Sequence, residues 1–138
     1  DEHDNVKICD FGGSYMWDAS SQFFSLVGSD FYLAPEALAH ERDYDASKAD
    51  IWSLGIMLFV MLTDSFPFVG ETREETLGNY FLNRVSLTEL EYVCPEDSAC
   101  RSLVSMMLHK DPKLRPSVNE ILQHEWFMND ETEVSAMM

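Results

Sequence analysis

Asp10 closes a short run, Val6-Lys7-Ile8-Cys9, in which apolar residues alternate with residues of mixed character, and Phe11, Gly12 and Gly13 follow at once. Such alternation reads as a short strand, and the two glycines end it. A carboxylate at a strand end, beside glycines that let backbone approach closely, suits a hard cation bound to phosphates. The same four residues also suit an ordinary Asp-Gly turn. Cys9, Cys94 and Cys100 form neither a paired framework nor a metal-binding spacing, so free thiols in a reducing compartment are expected.

Whatever chemistry Asp10 performs must be positioned by a core, and one stretch dominates the candidates. From Ile51 to Leu62 only Ser53 and Gly55 interrupt large apolar side chains. A helix apolar all round has to be buried in a larger body or in lipid. At 1.5 Å per residue this run gives only ~18 Å, too short for a bilayer. The expectation is a central helix, buried on every side, with the flanking segments packed around it.

Between Asp10 and that helix, Ser14 to Leu33 shows no lasting period, yet carries five serines among Tyr15, Trp17, Phe23, Phe24, Phe31 and Tyr32. A structureless stretch of this length is usually a functional loop or disordered. Ala34-Pro35-Glu36 then starts a short helix, with proline at its first position and Glu36 near the positive end of the dipole. After the central helix, Thr72-Arg73-Glu74-Glu75 matches a capping box and opens a helix through Leu77, Tyr80, Phe81 and Val85. Residues 86–93 carry no assigned element. Asp97 caps a helix whose inward residues are Cys100, Leu103, Val104, Met107 and Leu108. Ser117-Val118-Asn119-Glu120 is a second capping box, starting a last helix with Ile121, Leu122, Trp126 and Phe127 inward.

At 138 residues the chain fits one domain, which buries roughly 68–70% of its unfolded surface. Its formal charge of −16, from 25 acidic and 9 basic residues, disfavours nucleic acid and anionic membrane and favours cationic partners such as basic peptides. The chain opens at Asp1 without an initiator methionine or an apolar signal segment. A longer parent chain and a cytoplasmic location are therefore expected.

Three ordered motifs carry a resemblance. Asp10-Phe11-Gly12, then Val27-Gly28-Ser29-Asp30-Phe31-Tyr32-Leu33-Ala34-Pro35-Glu36, then Asp50-Ile51-Trp52-Ser53-Leu54-Gly55 resemble the activation segment and following helix of eukaryotic protein kinases. Phe66-Pro67-Phe68, Leu108 to Pro116 and His124-Glu125-Trp126-Phe127 resemble the end of the same domain. The wording is closest to serine/threonine kinases of the calcium/calmodulin-regulated and calcium-dependent group. The resemblance implies a mostly α fold, the helical C-lobe of the kinase domain with a short β-strand at its N-terminus. Its parts would be an activation segment over 6–36, a helical body over 45–127 and a tail over 128–138.

It further implies that Asp10 is a Mg2+ ligand against the ATP phosphates, with Cys9 facing the nucleotide pocket. Ser25 stands at the regulatory phosphosite, and Leu26, Ser29 and Leu33 in the loop that meets a protein or peptide substrate. Glu36, Asp50 and Arg115 are structural, with Glu36 paired to Arg115. Gly13 and Asp30 depart from the usual pattern. The Gly-rich loop, the strand lysine and the His-Arg-Asp catalytic loop precede Asp-Phe-Gly in the family and have no counterpart in this chain. No residue of this chain is thus a catalytic base, and the missing N-lobe and catalytic loop become expected partners. His109 and His124 match structural positions. The expected function is a piece of a serine/threonine kinase, inactive alone; the alternative is a non-catalytic scaffold or docking module.

Overall fold

A computed structural model describes residues 2, 5–14, 31–41, 44–95 and 98–128. Its centre is an 18-residue helix, Ala46–Thr63. In chain order the helices are α1 (Pro35–Leu38), α2 (Ala46–Thr63), α3 (Arg73–Phe81), α4 (Leu87–Val93), α5 (Ala99–Met107), α6 (Val118–Leu122) and α7 (Glu125–Met128). Asp45 starts α2, its carboxylate accepting Ser47 N at 2.9 Å and Lys48 N at 3.4 Å. The helix stops at Asp64, whose left-handed φ of 54° turns the chain away while its N–H still reaches the Val60 carbonyl at 2.8 Å.

One face of α2 makes the core. Trp52, Ile56 and Phe59 have no exposed surface, and Phe68, Tyr80, Leu90, Cys100, Val104 and Leu108 close around them. Ile51 joins Leu103 and Met107 of α5 in an adjoining cluster. Burial on every side, the expectation from composition, does not hold: Leu54, Met57 and Met61 are 46%, 47% and 72% exposed. Their spacing of three and four puts them on one stripe. The described elements pack against the opposite side and leave this one open. The length argument also changes, because the whole helix, 18 residues long, is long and apolar enough, by length and composition, to cross a membrane. What makes α2 a core helix is the packing of Trp52, Ile56 and Phe59.

Val6–Cys9 forms no strand. A strand needs a neighbour to take its backbone hydrogen bonds, and Val6 and Ile8 stand 94% and 83% exposed. The helix after Thr72 ends at Phe81 rather than running to Val85. Asn83 adopts φ 53°, and Asn83 N and Arg84 N donate back to the Tyr80 and Asn79 carbonyls at 3.0 and 2.8 Å. This is a Schellman ending with asparagine at the left-handed position. Residues 87–93, to which sequence pattern assigns no element, form α4. The overlooked signal is Ser86-Leu87-Thr88-Glu89, a helix-start pattern in which Ser86 Oγ donates to Glu89 at 2.9 Å.

Cys94 and Cys100 are joined in a disulfide, their Cα atoms 5.8 Å apart, so the expectation of three free thiols is corrected. Neither an odd count nor a six-residue spacing reveals a pair that only the turn between α4 and α5 brings within bonding reach. Ser98, not Asp97, caps α5, accepting Arg101 N at 3.3 Å; Asp97 lies outside the described residues. The α5 expectation for Cys100, Leu103, Val104, Met107 and Leu108 matches their burial. The box at Ser117 has both of its hydrogen bonds. The last helix, however, breaks at Gln123, and His124 Nδ1 accepts Trp126 N at 3.2 Å to restart it as α7. That break leaves Leu122 and Phe127 60% and 47% exposed.

Gly55 sets how closely α2 and α5 approach: a Cβ there would lie 2.9 Å from Leu108 Cδ2 and from Met107 Cβ. Gly55→Ala should therefore destabilise the chain by about 1–3 kcal/mol, although alanine favours a helix by ~1 kcal/mol over glycine. Urea unfolding measures the difference. A variant as stable as the wild type would contradict this close approach.

Candidate functional site

The strongest polar constellation joins α1 to the segment before α6. Arg115 Nη1 and Nη2 donate to Glu36 Oε1 and Oε2 at 2.6 and 2.8 Å, a bidentate pair between side chains that are almost fully buried. The remaining N–H groups donate to three carbonyls: Nε to His109 at 2.7 Å, Nη1 to Lys48 at 2.9 Å and Nη2 to Lys110 at 3.2 Å. A guanidinium has five N–H donors, and all are used. Its carbon also sits 4.9 Å from the centroid of the Trp52 ring, a cation–π placement. Lys48 Nζ returns a bond to the Arg115 carbonyl at 2.6 Å. The pairing of Glu36 with Arg115, expected from the family resemblance, is present.

From Trp52 the network runs to the chain just before α1. Trp52 Nε1 donates to the Tyr80 hydroxyl at 2.6 Å, and that hydroxyl donates to the Leu33 carbonyl. Ser53 Oγ donates to the Tyr32 carbonyl at 2.8 Å. Two consecutive carbonyls, at Tyr32 and Leu33, are thus held by α2 and α3. Burial pushes the Tyr80 hydroxyl far above the usual phenol value, outweighing the Trp52 hydrogen bond and the charge of Arg115. It stays a neutral donor. Sequence pattern marks Trp52 and Tyr80 as apolar positions and misses this role. The signal that could have found it is that a buried tryptophan or tyrosine still needs a partner for its polar tip.

Asp10 lies in the described stretch that precedes residues 15–30. Its backbone is left-handed, at φ 61° and ψ 61°, and it caps a 3-10 turn, Phe11–Gly13. Ser14 N and Oγ close that turn on the Phe11 carbonyl at 3.1 and 2.7 Å. The carboxylate is exposed, as is the free thiol of Cys9. Among the described residues no three His, Cys, Asp or Glu side chains group so as to hold a metal ion. Asp10 therefore offers one ligand rather than a site. Ser25, Leu26 and Ser29 lie outside the described residues, and Leu33 is anchored through its carbonyl by Tyr80.

Asp50 occupies the second turn of α2, in line with Leu54, Met57 and Met61 at intervals of four, three and four. No hydrogen bond or ion pair links its carboxylate to a described residue. Although the residue as a whole is exposed, partial desolvation of the carboxylate raises its pKa above the ordinary aspartate value. A carboxylate at the head of an exposed apolar stripe is suited to a segment that brings N–H donors followed by apolar side chains.

A family model, protein kinase domain, matches residues 1–127. Serine/threonine-protein kinase SRK2E of Arabidopsis thaliana is 38% identical over 131 residues, which cover 91% of this chain and 34% of that protein. Serine/threonine-protein kinase SAPK2 of Oryza sativa subsp. indica is 36% identical over 96% of this chain and 41% of its own length. Calcium-dependent protein kinase 25 of Arabidopsis thaliana is 35% identical over 94% of this chain and 24% of its own. The chain thus spans about a quarter to two-fifths of the curated relatives it matches.

Two measurements check the site. Glu36→Ala and Arg115→Ala should each lower stability by about 3–5 kcal/mol, because each leaves a buried charge without its partner. In a double-mutant cycle the two losses should fall well short of adding, and additivity would refute the pairing. For Asp50 the sign is opposite. A carboxyl whose folded pKa is raised leaves the fold relatively stabilised below the unfolded value, and that stability is lost as pH rises through the folded one. Asp50→Asn should therefore raise the melting temperature of the 138-residue chain at pH 7, with the gain shrinking towards pH 4. A lowered melting temperature at pH 7 would contradict the unpaired carboxylate.

Proposed function

The chain belongs to the protein kinase family, and from that premise we propose that its parent protein transfers the γ-phosphoryl group of ATP to serine and threonine hydroxyls of protein substrates. This chain is the lower, helical part of the large lobe, with an activation segment over 6–36, a helical body over 45–127 and a tail over 128–138. The observation that carries the reading is the clamp on Glu36, by which the segment ending at α1 is pinned through the buried Arg115. A segment held in this way can present substrate-facing backbone at a fixed place. The Tyr32 and Leu33 carbonyls, gripped by Ser53 and Tyr80, form its fixed edge.

In the parent enzyme Asp10 would be a ligand to Mg2+, and Cys9 would lie beside the nucleotide. Mg2+ supplies neutralisation of the charge on the transferring phosphoryl group. Asp10 fits that task as one exposed carboxylate, and the remaining ligands come from the rest of the parent chain. Leu26, Ser29 and Leu33 face the substrate, and Ser25 is the regulatory phosphosite. The stripe from Asp50 to Met61 seats the upstream part of the parent: its backbone N–H groups satisfy Asp50, and its apolar side chains cover Leu54, Met57 and Met61.

The proposal predicts that the 138-residue chain, folded and supplied with ATP and Mg2+, transfers no phosphoryl group, since it has neither a recognisable base for the substrate hydroxyl nor a recognisable lysine for the phosphates. The complete parent chain should transfer phosphate to a serine peptide, and Asp10→Asn should remove most of that activity. Transfer by the 138-residue chain that Asp10→Asn leaves unchanged would overturn the roles assigned to Asp10 and to the upstream part of the parent. A complete parent chain that neither binds ATP nor transfers phosphate would favour a scaffold instead.

A further inference from the structure

A cavity of about 300 Å3 lies beside the segment whose carbonyls Ser53 and Tyr80 hold. Phe31 and Leu38 line it from that segment and from α1, and Arg73, Thr76, Leu77 and Tyr80 line it from α3. The four α3 residues are spaced by three, one and three, which is one face of a helix. Unlike the core around Trp52, this cavity is reached from solvent: Phe31 is 54% exposed, Arg73 is exposed, and Leu38, Thr76 and Leu77 are half-buried. Tyr80, almost fully buried, can only be its inner wall.

What these walls offer is apolar contact. The Thr76 hydroxyl donates to the Thr72 carbonyl at 3.0 Å, and the Tyr80 hydroxyl already joins Trp52 Nε1 to the Leu33 carbonyl. Both hydroxyl donors are spent within the fold. Phe31 is braced by the Phe66 ring, the centroids 5.2 Å apart, and turns about half of its surface to solvent. An aromatic ring already held in place offers contact area at little further cost in side-chain entropy. Phe31 also stands two residues before Leu33, so an extended segment lying along that backbone comes within ~7 Å of it, at ~3.3 Å per residue. Glu71, Glu74 and Glu75, all exposed around the start of α3, outnumber Arg73 there and favour a segment that carries basic residues.

We propose that this cavity receives a large apolar side chain, such as leucine, from a protein substrate with basic residues nearby. The inference rests on the phosphoryl-transfer reading and names a substrate feature read in addition to the serine or threonine. Phe31, Leu38 and Leu77 make the contact. Tyr80 ties the cavity to the Leu33 carbonyl, so the pocket and the substrate-facing backbone keep a fixed relation.

The test uses serine peptides of arginine and alanine in which a single leucine is moved position by position, each compared with the leucine-free peptide. In methyl NMR of the 138-residue chain, at least one leucine peptide should give saturable shifts at Leu38, Thr76 and Leu77 and bind about ten-fold or more tightly than the leucine-free one. Phe31→Ala, at an exposed position, and Leu77→Ala should each remove most of that preference. In the complete parent chain the same leucine should lower KM, and Phe31→Ala should raise it again towards the leucine-free value. A leucine peptide that binds at these methyls while the parent transfers no phosphate would keep the pocket and remove the phosphoryl-transfer reading. Phosphate transfer with no leucine position favoured in binding or in KM would overturn the pocket and keep that reading. A leucine preference untouched by both variants, or shifts at these methyls that follow protein concentration without peptide and so mark a second copy of the chain as the occupant, would also overturn the proposal.

Discussion

The geometry of one guanidinium organises this chain. Arg115 has five donors and the fold supplies five acceptors: both oxygens of Glu36 and the carbonyls of Lys48, His109 and Lys110. These acceptors come from α1, the first turn of α2 and the stretch leading to Arg115 itself, so a single planar group fixes three separate parts of the chain. Burial of a charge is tolerated only with full satisfaction of this kind. The Trp52 ring beside it extends the constraint into the apolar core and, through Tyr80, to the Leu33 carbonyl. These contacts therefore close on the chain where they began, since Leu33 lies three residues before Glu36.

This network gives physical content to the likeness with kinases. The two described flanks of residues 15–30 are held very differently. Here the C-terminal end is fixed by charge-assisted bonds and by two gripped carbonyls. At the N-terminal end, Asp10 and Phe11 are exposed, and among the described residues they are tied only by a local 3-10 turn. The asymmetry suits a chain that covers about a third of relatives such as SRK2E: the well-held elements are those whose partners lie within the chain.

Much of this was legible in the sequence because it rests on local chemistry. The capping residues Thr72 and Ser117, the proline at the start of α1 and the three-and-four spacing along α5 each follow from rules that act within a turn or two. The pairing of Glu36 with Arg115 was legible only through family likeness, since no local rule connects residues 79 apart. Other features were opaque for identifiable reasons. Periodicity cannot say which side of a uniformly apolar helix finds a partner, so the exposure of Leu54, Met57 and Met61 was invisible. Val6–Cys9 has strand-like alternation without a described neighbour to pair with. The Cys94–Cys100 bridge depends on a turn between helices, and the tyrosine and tryptophan tips were hidden by reading both residues as purely apolar.

Gly55 carries a consequence for how this sequence can vary. Its missing side chain is matched to the volumes of Met107 and Leu108, which a Cβ would meet at 2.9 Å. These three positions therefore form one steric unit across two helices. A side chain gained on α2 would have to be matched by volume lost on α5, so the two helices can drift in sequence only together.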